Sequence, residues 1–276
     1  TKKQIAQFPS GDAKNGEMVF WAGGCASCHA ADKAKGVAKL LLTGGHELKT
    51  PFGIFRAPNI STDKRVGIGA WSLGNFANAM KNGVRPDGSH YFPAFPYTSY
   101  TRMTDKDVAD LWAFMKKLPE SANKVADHSI PFPFNIRRGL GLWKWLYLDK
   151  TSVLQVANEN SELLRGRYLV EALGHCGECH TPRNIIGGMD KTRWLAGGVG
   201  PEGKEKIPNI TPHKDGVGDW SKVDLAYGLE TGFTPEFDSF GSSMVAVQEN
   251  MAKLSALDRN AIALYLKSIG SIAGKP

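Results

Sequence analysis

The chain is poor in cysteine, in long apolar runs and in clustered charge, and each shortage narrows what it can be. Its 276 residues include four cysteines, all within two short segments, Cys25-Ala26-Ser27-Cys28-His29 and Cys176-Gly177-Glu178-Cys179-His180. None is left over for a disulfide framework. The longest apolar stretch, Leu140 to Leu148, is interrupted by Lys144 and is too short to cross a bilayer. No apolar leader follows Thr1-Lys2-Lys3, so a signal peptide is expected to be missing from this sequence and the protein to be soluble, with no transmembrane segment. Lys and Arg exceed Asp and Glu, 34 to 27, but no five basic residues run together. Nucleic-acid binding is therefore not expected. The excess suits a basic face toward an acidic partner, or simply a solvated surface. No carboxylate pair, nucleophile–base grouping or phosphate loop stands out for catalysis.

What the chain does have is a second copy of itself. Cys176 follows Cys25 by 151 residues, Pro208-Asn209-Ile210-Thr211 follows Pro58-Asn59-Ile60-Ser61 by 150, and Gly216 to Ser221 follows Gly67 to Ser72 by 149. Thr104 to Lys116 recurs as Ser255 to Lys267, again at 151. Offsets this steady mark duplicated domains joined head to tail. Each copy opens with a helical pattern containing Gly, Gly16 to Trp21 and Ser161 to Leu173, that ends just before the cysteines. A Gly- and Pro-rich loop follows, then a helix from Trp71-Ser72 or Trp220-Ser221. A last helix is capped by Thr104 or Ser255. Its apolar face reads Val108, Leu111, Trp112, Met115 in one copy and Ile262, Leu264, Tyr265, Ile269 in the other. No alternating strand pattern appears, so the fold class expected is all-α: domain 1 over 1–118, domain 2 over 159–276, and an ordered linker over 119–158. Phe132, Phe134, Trp143 and Trp145 would be costly to expose, so that linker is expected to pack across both domains. Loops this long need something besides side chains to pack on.

The two cysteine segments supply a candidate. Thiols at that spacing form thioethers with the two vinyl groups of one porphyrin, and the adjacent His29 or His180 reaches the iron as proximal ligand. Half a zinc site or a thiol redox pair explains one copy, but not two copies each with His after the second Cys. Two covalently bound haems c are expected, and covalent attachment of this kind implies the periplasm. Arg56 and Lys206, before the Pro58 and Pro208 turns, are candidate propionate contacts, and so are Trp71 and Trp220, which packing alone explains nearly as well. His46, His128, His175 and His213 have no counterpart and read as loop histidines.

The sixth ligand is less direct. A Met thioether raises the potential and closes the iron. In the second copy Met244, in a small-residue loop, and Met251 both qualify. In the first copy the position matching Met244 is Phe95, which cannot ligate iron. Met103 is the leading candidate and His90 the second; Met80 and Met115 read as core. The Phe95 substitution also keeps open a two-haem enzyme with one labile iron, of the peroxidase or thiosulfate dehydrogenase type.

Three segments carry a family resemblance: Asp87 to Tyr100, Pro131-Phe132-Pro133-Phe134-Asn135-Ile136-Arg137, and Gly174 to Asn184. They are similar to the cytochrome c subunits of bacterial membrane-bound alcohol, gluconate, sugar-acid and aldehyde dehydrogenases. That resemblance implies class-I-like cytochrome c domains. It also implies electron flow from a partner dehydrogenase to a quinone, a later cytochrome or an oxidase, with Met103 and Met244 as sixth ligands. Such subunits usually add a third haem domain and a membrane-associating C-terminus, which favours here a soluble shuttle or a two-haem dehydrogenase partner over a quinone-reducing subunit.

Overall fold

The computed structural model describes residues 8–155, 160–200, 202–203 and 205–274. They form two compact units, Thr1–Asp149 and Lys150–Pro276.

In the first unit, α1 (Ala13–Ala22) is capped by Asp12, and α2 (Cys25–His29) follows almost at once. A two-stranded hairpin, β1 (Glu47–Thr50) and β2 (Gly53–Arg56), interrupts the loop. Then come α3 (Leu73–Asn82), α4 (Tyr97–Tyr100), α5 (Asp105–Met115) and α6 (Gly139–Tyr147). The unit is built on the crossing of α1 and α5. At Gly16 a Cβ would stand 2.0 Å from the Asp110 carbonyl oxygen, so only glycine permits this approach. Buried Asp110 locks the crossing by accepting from Asp12 N at 2.5 Å and Asn15 Nδ2 at 2.7 Å. Phe20 and Phe114 close it with rings 5.3 Å apart. Val108, Leu111, Trp112 and Met115 are buried as their helical spacing requires.

The segment after α5 wraps the same unit. Asn59 Nδ2 donates to the carbonyls of Ser121 and Asn123, and Ile54 bridges to Ser129. The apolar residues expected to be hidden in this stretch are largely not: Phe132 is 78% and Trp145 79% exposed, Phe134 is exposed, and Trp143 is half-buried against Tyr147. Contact with the unit is made instead by a buried lysine. Lys144 Nζ donates to the Asn82 and Gly83 carbonyls at 2.7 and 2.5 Å, capping the C-terminus of α3, where the helix dipole favours a cation.

The second unit repeats the scheme. Its elements are α7 (Ser161–Tyr168), α8 (Gly177–His180), the short hairpin β3 (Gly198–Val199) and β4 (Lys206–Ile207), α9 (Lys222–Thr231), α10 (Met244–Met251) and α11 (Ala256–Ser268). Gly166 plays the part of Gly16, since a Cβ there would lie 1.9 Å from the Ala261 carbonyl oxygen. From Gly16 to Gly166 the offset is 150, and from Cys25 to Cys176 it is 151. A π-helical turn, Leu169–Leu173, takes up the extra residue between them. It presents Glu171 to Tyr265 where the first unit sets Phe20 against Phe114.

Two expectations need correction. The α11 face is completed by buried Leu266, whereas Leu264 is only half-buried, because the contact stripe follows the 3.6-residue period past Tyr265. Strands do occur, among the described residues as two hairpins of four and two residues per strand, too short to show an alternating pattern.

Candidate haem centres

On α2, Cys25 and Cys28 are three residues apart and so share a helix face, with His29 next in the chain. His29 Nδ1 lies 2.8 Å from the Pro58 carbonyl oxygen, and His180 Nδ1 lies 2.8 Å from that of Pro208. A carbonyl only accepts, so each Nδ1 carries the proton and each Nε2 keeps its lone pair for a metal. Burial lowers the pKa of both imidazoles, which keeps them neutral and ready to ligate. Burial, with the neighbouring thiol second, pushes Cys25 and Cys176 up to about 12. A thiol redox pair needs the opposite shift. Among the described residues no group of three His, Cys, Asp or Glu is arranged to hold a bare ion, so a closed zinc site is not formed either.

The loops behind the two histidines are superposable in their bonding. Gly44 N donates to the His29 carbonyl and Gly197 N to that of His180, both at 2.8 Å. Asn59 Oδ1 accepts from Ser61 N and Asn209 Oδ1 from Thr211 N, at 2.9 and 2.8 Å. The Asn209 amide then reaches the Ile272 carbonyl, as that of Asn59 reaches Ser121. These asparagines fix the turns that present Pro58 O and Pro208 O. They stood inside the repeated Pro-Asn-Ile motif and were not singled out as site residues.

Met103 is 2% exposed and sits in a turn closed by its own N–H to the Tyr100 carbonyl. Tyr100 Oη donates to the Gly23 carbonyl at 2.5 Å, two residues before Cys25, and so ties the Met103 turn to the cysteine motif. Phe95 belongs to an aromatic wall with Tyr91, Tyr97 and Tyr100, at ring separations of 5.4–6.2 Å. The His90 ring instead faces Lys144, with Nδ1 3.0 Å from Nζ. In the second unit Met244 is half-buried at the first residue of α10, and Met251 is buried at its last.

Residues 13–119 match the Cytochrome c family. A diheme c-type cytochrome of Cereibacter sphaeroides is 52% identical over 95% of this chain and 88% of its own. The chain belongs to the cytochrome c family. It is also 36% identical to the fructose dehydrogenase cytochrome subunit of Gluconobacter japonicus, spanning 92% of this chain and 52% of that one. The gluconate 2-dehydrogenase cytochrome c subunit of Pantoea cypripedii is 36% identical over 97% of this chain and 62% of its own. The cytochrome thus spans only half to two-thirds of those dehydrogenase subunits.

The residues present in the cytochrome fit covalently bound haem: paired thiols on one helix face, and an imidazole with its free nitrogen defined. The other expected contacts are more dispersed. Arg56, on β2, spends Nε on Glu47 and Nη1 on Asp127 O and Ser129 Oγ. Lys206 is exposed on β4. Trp71 lines a surface depression with Pro9, Gly11, Trp112 and Lys116, and Trp220 packs over α9 near Gly228. No helix among the described residues is long and apolar enough to cross a membrane.

Proposed function

We propose that the protein is a periplasmic electron carrier with two covalently bound haems c, one at Cys25, Cys28 and His29, the other at Cys176, Cys179 and His180. Met103 and Met244 complete the two irons. Electrons enter from a partner dehydrogenase and leave to a downstream cytochrome or oxidase. The observation that carries this reading is the paired hydrogen bond from His29 Nδ1 to Pro58 O and from His180 Nδ1 to Pro208 O, each beside its own Cys-x-x-Cys. It occurs in both units, each with the same turn and the same glycine contact, and this favours one cytochrome c domain per unit. The haem supplies one-electron ferric–ferrous chemistry when bound. The chain's own part is to anchor the group by two thiols and hold the imidazole in a single tautomer. It also brings a buried thioether toward the opposite side and shields it with the Phe95–Tyr100 aromatic wall. Segment 119–158, of which residues 156–158 lie outside the described residues, acts as the connection between the domains.

A Met103→Ala variant tests the first ligand set. Loss of the red-region Met–iron charge-transfer band for one of two haems, with a large fall in that haem's potential, is expected. An unchanged spectrum and potential would remove Met103 from the set and return His90 to it.

A further inference from the structure

The two units treat one surface differently. After α3 the first unit makes a tight turn, Arg85-Pro86-Asp87-Gly88, in which Gly88 takes a φ of 84°. After α9 the second unit makes the same turn from Thr234-Pro235-Glu236-Phe237, closed by the equivalent bonds, and here Phe237 holds a φ of 63°. A bulky residue in the left-handed region is strained, and glycine relieves that strain in the duplicate. Yet Phe237 makes no use of the core: it is 96% exposed. Phe233 and Tyr227 are exposed beside it, and Val223 is exposed one turn before Tyr227 on α9, at positions where the first unit has Val84, Asn78 and Gly74. Tyr227, Phe233, Pro235 and Phe237 line a depression of about 400 Å3.

The rim of this patch is acidic. Asp224, Glu236 and Asp238 border it, although the chain as a whole carries a formal +7. The first unit has Arg85 in place of Thr234, so its turn is balanced by an Arg85–Asp87 pair. In that unit the residues flanking the turn are also held by the chain's own 137–144 segment. Arg137 donates to His90 O at 2.8 Å and stacks on Phe92, and Lys144 reaches His90 and Gly83. Cationic side chains on an apolar segment thus already pack beside the first unit's turn, at Gly83, His90 and Phe92.

We propose that the Phe233–Phe237 turn of the second unit, with Val223 and Tyr227, is the docking surface for a redox protein that presents an apolar centre ringed by Lys or Arg. The turn leads into the loop carrying Met244, the residue proposed to complete the second iron, so docking there would bring the partner to that loop. Phe237 enters the partner's apolar centre, and Glu236 and Asp238 pair with its cationic ring. This assignment rests on the electron-carrier reading above.

The test is stopped-flow oxidation of the dithionite-reduced holoprotein by two acceptors. One is a mitochondrial cytochrome c, whose haem edge is ringed by lysines; the other is ferricyanide, which needs no docking. Phe237→Gly, which installs the residue of the duplicate, is expected to fold as well as wild type. It should slow the cytochrome reaction about tenfold and leave the ferricyanide rate unchanged. Glu236→Lys with Asp238→Lys should slow it comparably and abolish its fall with rising salt. Equal rates with the cytochrome for Phe237→Gly and wild type would overturn the proposal while leaving the electron carrier standing. A wild-type dimer that Phe237→Gly converts to monomer would assign the patch to a second copy and overturn it too. Failure of ferricyanide to oxidise either haem would instead count against the electron-carrier reading itself.

Discussion

Replacing the buried Glu171–Tyr265 pair with the aromatic pair of the first unit has a calculable outcome. The Glu171 carboxylate accepts from Tyr265 Oη at 2.7 Å, Val153 N at 2.7 Å and Leu154 N at 3.2 Å. Burial first, and the carboxylate second, raise the Tyr265 pKa, so the phenol stays protonated and remains the donor. Tyr265→Phe removes one hydrogen bond to an acidic acceptor and should cost about 2 kcal/mol. Glu171→Phe leaves the phenol and two backbone N–H groups without their acceptor and should cost about 3–4 kcal/mol. In the double variant no orphaned phenol remains, and two rings face each other as Phe20 faces Phe114. Its cost should fall below the sum of the single variants by about 1.5 kcal/mol. Guanidinium unfolding of the holoprotein, followed by far-UV circular dichroism and haem absorbance, measures all three. Additivity to within about 0.5 kcal/mol would refute the claim that the two side chains form one buried unit.

Three further outcomes follow from the same structure. Gly16→Ala and Gly166→Ala each drive a Cβ into a backbone carbonyl at a helix crossing, and each should lower stability by about 2 kcal/mol in thermal or denaturant melts. The Asp224 carboxylate is held below its ordinary range by the Ser221 N–H and then the Ser221 hydroxyl. Its stabilising effect is therefore full above the unfolded value of 3.8 and is lost as pH falls through the lower folded value, so Asp224→Ala should flatten the acid limb of a stability–pH curve in that window. Lys144→Met should loosen α6 from the α3 terminus, which amide hydrogen exchange at residues 139–147 would register as faster exchange.

Much of the site was legible because its chemistry demands fixed spacing. Two thiols and a histidine in five residues, written twice, leave little freedom, and the Pro58 and Pro208 turns were visible as repeats. The helix ends were equally plain, since Ser72, Thr104, Ser221 and Ser255 each cap the helix that follows. What escaped the sequence depends on distant partners. Lys144 reads as a charge interrupting an apolar run, and only the carbonyls of Asn82 and Gly83 explain its burial. Glu171 carries no signal of its own within the Ser161 to Leu173 helical pattern. The single-residue drift between the Gly16–Gly166 and Cys25–Cys176 offsets was the trace of the π turn that buries it. The hairpins were missed because four-residue strands carry no pattern long enough to detect, and Phe237 because its strain is a property of the backbone.

The central claim, that both irons are closed by His and Met, is tested most directly by carbon monoxide binding to the dithionite-reduced wild-type protein, measured per haem. The account predicts that neither haem binds it readily. Stoichiometric binding at one haem would contradict it, and would mean that iron has an open or labile sixth position suited to an enzyme rather than a carrier.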